Sequence, residues 1–106
     1  MDAQLKKGYL DALVMATLID TPSYGYAIIQ ELQPITEMSE STLYPILRRL
    51  EQQDLVTTYQ VPYNGRLRKY YQMTPHGRMR LREYFADIAE MAKITNYLSN
   101  KCKGKV

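Results

Sequence analysis

At 106 residues the chain is long enough for one modest hydrophobic core and too short for two. Its 45% hydrophobic and 24% charged content excludes a disordered or repetitive polymer, and a formal net charge of +3 with an isoelectric point near 9.0 favours an anionic partner. The single cysteine, Cys102, excludes an intramolecular disulfide framework. No stretch approaches the roughly 18 apolar residues that span a bilayer, and the N-terminal run has no signal-like core, so a cytoplasmic protein with no membrane partner is expected.

In chain order, the first expected helix runs from about Ala3 to Ile19. Leu10, Leu13, Val14, Thr17 and Leu18 form one stripe, and Ala12, Met15, Ala16 and Ile19 a second. A helix apolar nearly all round suggests one stripe on its own core and the other on a partner subunit. Lys6 and Lys7 are read as solvated, with a phosphate backbone as the alternative. Asp20 to Ser23 is expected to stop this helix and start the next, with Pro22 in the first turn and Thr21 or Ser23 as cap. Gly25, Ile28, Ile29 and Leu32 make the buried stripe of the second helix. Ser23, Tyr24 and Tyr26 lie at its N-terminus, where free N–H groups favour a phosphate.

Pro34 closes the second helix, and residues 36–38 turn into a third, Ser39 to Gln53, capped by Ser39 or Ser41. Leu43, Ile46, Leu47 and Leu50 recur at i, i+3, i+4 and i+7, giving a stripe to bury. The opposite side carries Ser41, Tyr44, Arg48 and Gln52, all able to hydrogen-bond to phosphates or base edges, and reads as a recognition face. Pro45 interrupts the helix's backbone bonding.

From Leu55 the pattern becomes β-branched and aromatic around Asn64-Gly65, a strong hairpin signal. A two-residue turn pairs Tyr63 with Arg66, Val61 with Arg68 and Tyr59 with Tyr70. Arg66 and Arg68 then share a face with three tyrosines, while Val56, Thr58, Tyr71 and Met73 face the core. Between Leu55 and Arg82 there is no acidic residue, whereas Arg66, Arg68, Lys69, Arg78, Arg80 and Arg82 are all present. That concentration is read as an electrostatic footprint for nucleic acid. Thr74-Pro75 opens a last helix to about Asn100, with Leu81, Tyr84, Phe85, Ile88, Met91, Ala92, Thr95 and Leu98 as a seam for a second copy of the chain. The tail after it is expected to fray.

The assembled expectation is a mainly α protein with a small β-hairpin (α+β): a winged helix-turn-helix over residues 1–74, then a dimerisation helix and tail over 75–106. No enzyme is expected. His76 sits at a helix start beside Gly77, Cys102 lies in a basic tail with no histidine near it in sequence, and neither a metal-ligand cluster nor a cofactor-binding loop is present. The rival reading is a winged-helix module that binds protein rather than DNA. Against it stands the basic wing, which such a module has no need to hold beside a recognition helix.

The segments LKKGYLDALVMATL, PSYGYAIIQEL, SESTLYPILRRLEQQDLV and NGRLRKYYQMTPHGR together resemble the PadR-like family of transcriptional regulators, over most of Leu5 to Arg78. The resemblance implies a homodimeric repressor on a palindromic double-stranded DNA operator, released by a small molecule such as a phenolic acid or a drug. It places DNA contacts on Ser41, Thr42 and Tyr44, on Tyr24, and on Arg66, Arg68 and Lys69, to which the residue reading adds Ser23 and Arg48. Dimerisation is expected through Leu81, Phe85, Ile88, Ala92, Thr95 and Leu98. Some compact members stack flat drugs between tryptophans. This chain has none, which leaves Tyr84, Phe85, Met91 and Tyr97, with Met15, to line an apolar effector cavity.

Overall fold

The computed structural model describes residues 3–106. Four helices and one hairpin follow in the order α1 (Ala3–Ala16), α2 (Gly25–Leu32), α3 (Glu40–Gln52), β1 (Val56–Tyr63), β2 (Arg66–Met73) and α4 (Pro75–Cys102). Among the described residues no helix is long and apolar enough to cross a membrane.

The core is where α1, α2, α3 and the base of the hairpin meet. Val14, Met15 and Leu18 of α1 and its exit, Ile28, Ile29 and Leu32 of α2, and Leu43, Ile46, Leu47 and Leu50 of α3 are all buried. The stripes expected on α2 and α3 are therefore the ones used. On α1 the two expected stripes are not kept apart, because Met15 from the second lies beside Val14 and Leu18 from the first, all within the protomer. Met38 and Leu55, in the turns flanking α3, complete the packing.

Regular α1 geometry ends at Ala16, three residues before the expected Ile19. Thr17 explains this: its hydroxyl donates to the Val14 carbonyl at 2.7 Å, and Leu18 and Ile19 donate to carbonyls three residues back. The chain tightens instead of propagating the helix. The expected cap of α2 is also corrected. Tyr24, not Thr21 or Ser23, is the N-cap, and it makes no side-chain cap bond. Ser23 is drawn away because its N–H and C=O both pair with Tyr71, at 3.0 and 2.7 Å, adding a one-residue third strand to the wing.

At α3, Ser39 is the cap, its hydroxyl accepting from the Thr42 N–H at 3.3 Å. The helix closes with a pair of reverse bonds, Asp54 N–H to Glu51 at 3.1 Å and Leu55 N–H to Leu50 at 2.9 Å. Asp54 holds the left-handed position between them at φ 58°. The hairpin register is the expected one, Tyr63 with Arg66, Val61 with Arg68 and Tyr59 with Tyr70, around Asn64 and Gly65 at φ 49° and 75°. Val56, Tyr71 and Met73 point inward and are buried, and Thr58 beside them is half-buried.

Thr74 caps α4 by accepting from the Gly77 N–H at 2.9 Å, while its own hydroxyl donates to the Asp54 carbonyl at 2.6 Å. This helix reaches Cys102, past the expected Asn100, and at about 1.5 Å per residue its 28 residues span roughly 42 Å. It gives the molecule its 60 Å long dimension. Leu81 and Tyr84 pack against the core, and Ile88 and Met91 are half-buried. The expected seam is thus divided, since Leu81 is engaged inside the protomer while Phe85, Ala92, Thr95 and Leu98 stay exposed.

Candidate nucleic-acid interface

Three elements converge on one side of the molecule: the N-terminus of α2, the outer face of α3 and the inner edge of β2. They enclose a cleft of about 310 Å³ lined by Tyr24, Gly25, Tyr26, Tyr44, Arg68, Lys69 and Tyr71. A second cleft, also about 310 Å³, continues it along α3 past Tyr44, Arg48, Glu51, Lys69 and Tyr71. Tyr44 is common to both. Its ring lies over Gly25, where a Cβ would stand 2.2 Å from the tyrosine oxygen. The absence of a side chain at residue 25 therefore admits the Tyr44 ring.

The backbone at the cleft mouth is suited to anions. The first N–H groups of α2 have no side-chain cap, and a helix N-terminus carries a partial positive charge. At the start of α3, Ser39 Oγ lies 3.0 Å from Ser41 Oγ and 3.1 Å from Thr42 Oγ1. These three hydroxyls form an exposed cluster that can turn outward to a groove acceptor or donor. Ser39 thus joins the two residues expected from sequence. Thr42 lies on the opposite flank from Tyr44, over a smaller cleft of about 240 Å³ shared with Lys6, Lys7, Leu10, Ile46 and the paired Asp11 and Arg49. Lys6 and Lys7 therefore stand beside α3, which sequence spacing did not reveal.

On the wing, the expected cations have different surroundings. Arg68 lies between two rings, 4.0 Å from the Tyr24 centroid and 3.5 Å from that of Tyr63. Tyr70 extends the stack, edge-on to Tyr24 at 5.4 Å and parallel to Tyr59 at 5.5 Å. Hydrogen bonding to Tyr70, more than the opposing desolvation or the bond to Tyr63, raises the Arg68 pKa above its ordinary value. A guanidinium held face-on by aromatic rings keeps its N–H edge available with little freedom left to lose. Arg66, at the tip, is exposed and has no carboxylate within ion-pair distance among the described residues.

Lys69 faces the other way, 3.8 Å from Glu51, whose second oxygen accepts from Thr58 at 3.2 Å. Tyr71 beside it is buried, and that burial first, then Tyr44 and Glu51, raises its pKa against the lowering influence of Arg48. The remaining cations of the basic run lie on α4. Arg78 donates to the Ile19 carbonyl at 2.8 Å, and Arg80 is 3.3 Å from Glu83. The positive run is therefore divided between the wing and the base of α4.

Of the residues expected at an effector cavity, Met15 is fully enclosed in the core and presents no surface to a ligand. The Tyr84 hydroxyl turns inward, 3.5 Å from Asp11, while Phe85 is 71% exposed beside a shallow groove of about 440 Å³ formed with Ile19, Arg78, Leu81, Arg82, Ala86 and Ala89.

A helical pair presenting a polar face, flanked by a twisted hairpin, defines a winged helix-turn-helix protein carrying an extended C-terminal helix. The model of the transcriptional regulator PadR-like family matches residues 14–83. A transcriptional regulator of Mycobacterium tuberculosis is 37% identical over 75 residues, 70% of each chain. The structure of a PadR family regulator from Eggerthella lenta superposes with a TM-score of 0.80 at 34% identity, over 90% of this chain and 85% of that one. A PadR-like regulator from Bacillus cereus gives 0.80 at 26% identity, over 97% and 100%. The chain belongs to the PadR-like family of transcriptional regulators, which are not enzymes.

Proposed function

We propose that this protein is a cytoplasmic homodimeric repressor that binds a palindromic operator in double-stranded DNA. Residues 1–74 serve as the reading head and 75–106 join the two copies. The observation that carries this reading is the cleft that Tyr44 of α3, the uncapped start of α2 and two cations of β2, Arg68 and Lys69, line together, with Arg66 exposed at the tip beyond it. In this assignment Ser41, Thr42 and Tyr44 approach base edges. Ser23 and Tyr24 present the α2 N-terminus to a phosphate, and Arg48, Arg66, Arg68 and Lys69 hold the backbone. Thr42 lies over a cleft with Lys6 and Lys7, which supports a further phosphate contact on the far side of α3.

Two heads read two half-sites when the α3 helices sit about 34–36 Å apart on one face of the duplex. The exposed side chains Phe85, Thr95 and Leu98, with Ala92 between them and Ile88 at their edge, supply the seam. A small apolar or aromatic effector would bind beside Phe85 and Met91 and bias the separation of the heads, releasing the operator only through unequal affinity for the two arrangements.

The test is selection from random duplex DNA across a salt series at concentrations that favour the dimer. Enrichment of an inverted repeat, with affinity falling steeply as salt rises, is the expected result. A protein that enriches no sequence and binds only weakly would instead be a winged-helix module for protein partners.

A further inference from the structure

Asp11 is the one buried charged residue among those described, with its side chain 8% exposed. It lies on α1, yet both carboxylate oxygens are taken by other helices. Arg49 of α3 donates to Oδ1, and the Tyr84 hydroxyl of α4 donates to Oδ2 at 3.5 Å. Arg49 follows Arg48 directly, and the two diverge: Arg48 faces the wing cleft, whereas Arg49 turns under α3 towards α1. The guanidinium carbon of Arg80 stands over the Tyr84 ring, 5.1 Å from its centroid. One carboxylate therefore connects the helix that carries the reading face to the helix that carries the seam.

An ion pair at this depth is weak support for stability, because desolvation offsets much of its Coulombic attraction. What it supplies is direction. Apolar packing between α1 and α3 is not directional, whereas a charge-assisted hydrogen bond from Arg49 to a buried acceptor favours one rotation of α3 about its axis. The hydroxyl of Tyr84 reaches the same acceptor from α4 through a long contact of 3.5 Å, which biases the orientation of that helix.

We propose that Asp11 is a positioning residue which, through Arg49 and Tyr84, sets the angle between the recognition helix and α4 and so the half-site spacing that the dimer reads. The inference rests on the dimeric reading proposed above. Asp11 touches no DNA in this arrangement and acts only through its two partners.

The first experiment requires no DNA. A spin label at Gln52, on the exposed end of α3, is introduced as Gln52→Cys in a Cys102→Ser background, and distances between the two copies are measured by pulsed dipolar spectroscopy. A narrow distribution is expected for the parent protein. Asp11→Asn, which keeps the shape but removes the charge, and Tyr84→Phe, which removes only the hydroxyl, are both expected to broaden it. A part in stability alone would lower the unfolding midpoint and leave the distribution in place. Tyr84→Phe retains its ring packing, so it keeps the test decisive if Asp11→Asn unfolds.

The second readout is binding to the selected inverted repeat with its spacer lengthened or shortened by single base pairs. For Tyr84→Phe the half-site preference stays, while discrimination between spacers shrinks by a factor of about 2 to 10, the range one lost hydrogen bond supplies. An unchanged distance distribution together with an unchanged spacer profile overturns the inference and leaves the dimeric reading intact. Absence of any distance between copies in the parent protein overturns both.

Discussion

Two glycine-to-alanine substitutions on helices of this chain are expected to have opposite signs. A Cβ on Gly77 would stand 2.1 Å from the Leu55 carbonyl oxygen and 2.9 Å from Met73 Cγ. Ordinary contact begins about an ångström further out, so α4 or the start of the wing must move. The carbonyl cannot move freely, because it accepts the Thr74 N–H at 3.1 Å while the Thr74 hydroxyl bonds the neighbouring Asp54 carbonyl. Forcing a methyl into such a site costs about 1–3 kcal/mol, against a helix-propensity gain of roughly 0.5–1 kcal/mol. The net expectation for Gly77→Ala is a loss of about 1 kcal/mol at the middle of the two ranges and of up to about 2.5 kcal/mol where the carbonyl cannot yield. Gly8 on α1 has no heavy atom within 4 Å of its would-be Cβ, so Gly8→Ala keeps the propensity gain alone and stabilises by about 0.5–1 kcal/mol. Urea unfolding followed by circular dichroism at one fixed protein concentration measures both. A Gly77→Ala protein as stable as the parent would refute the close approach of α4 to the hairpin base.

Arg66→Ala and Arg68→Ala should weaken binding to all DNA sequences and reduce the salt slope by about 1 each, whereas Tyr44→Ala should relax sequence preference; titration of selected and scrambled duplexes across salt separates the two effects. Asp54→Gly relieves a left-handed residue at the end of α3 and is expected to stabilise by about 0.5–1 kcal/mol, read as a shifted urea midpoint. Tyr71 has its pKa raised, chiefly by burial, so its neutral form is the one the fold favours. Its contribution is complete below the ordinary tyrosine value of about 10 and is lost as pH rises from there through the folded value. A stability profile of Tyr71→Phe should therefore fall less on the alkaline side than that of the parent, and parallel profiles would count against this account.

The elements of this fold were legible where one local rule governs. Alternation and Asn64-Gly65 set the hairpin register, and the i, i+3, i+4 spacing set the buried faces of α2 and α3. The misplaced boundaries arise from competing local bonds. Thr17 tightens the end of α1, and the pairing of Ser23 with Tyr71, forty-eight positions away in sequence, takes it from its expected cap. Tertiary geometry also decided what the site residues do. Periodicity put Arg48 on the outer face of α3 and strand alternation put Arg68 with the tyrosines, but neither rule says what Arg49 and Lys69 meet on their own sides. Each is turned to a carboxylate, Asp11 for Arg49 and Glu51 for Lys69. Asp11 was invisible for the same reason, since a lone acid on an apolar helix acquires meaning only when its partners arrive from two other elements.

The far end of α4 carries the strongest physical argument for a second copy of the chain. From Ala92 to Lys101 every residue is exposed, so the head contributes little to holding that segment helical. The packed start of α4 supplies the nucleus, but propagation into this end rests on propensity, and the segment includes β-branched and amide side chains that lower it. Yet Ile94, Tyr97 and Leu98 are 48%, 64% and 54% exposed, more apolar surface than an end left in solvent would need. Burying them against a partner supplies what propensity does not, at about 25 cal/mol for each Å² removed from water. In the proposed dimer, association and the folding of the last turns of α4 become one equilibrium, so the order of those turns and the spacing of the reading heads are set together.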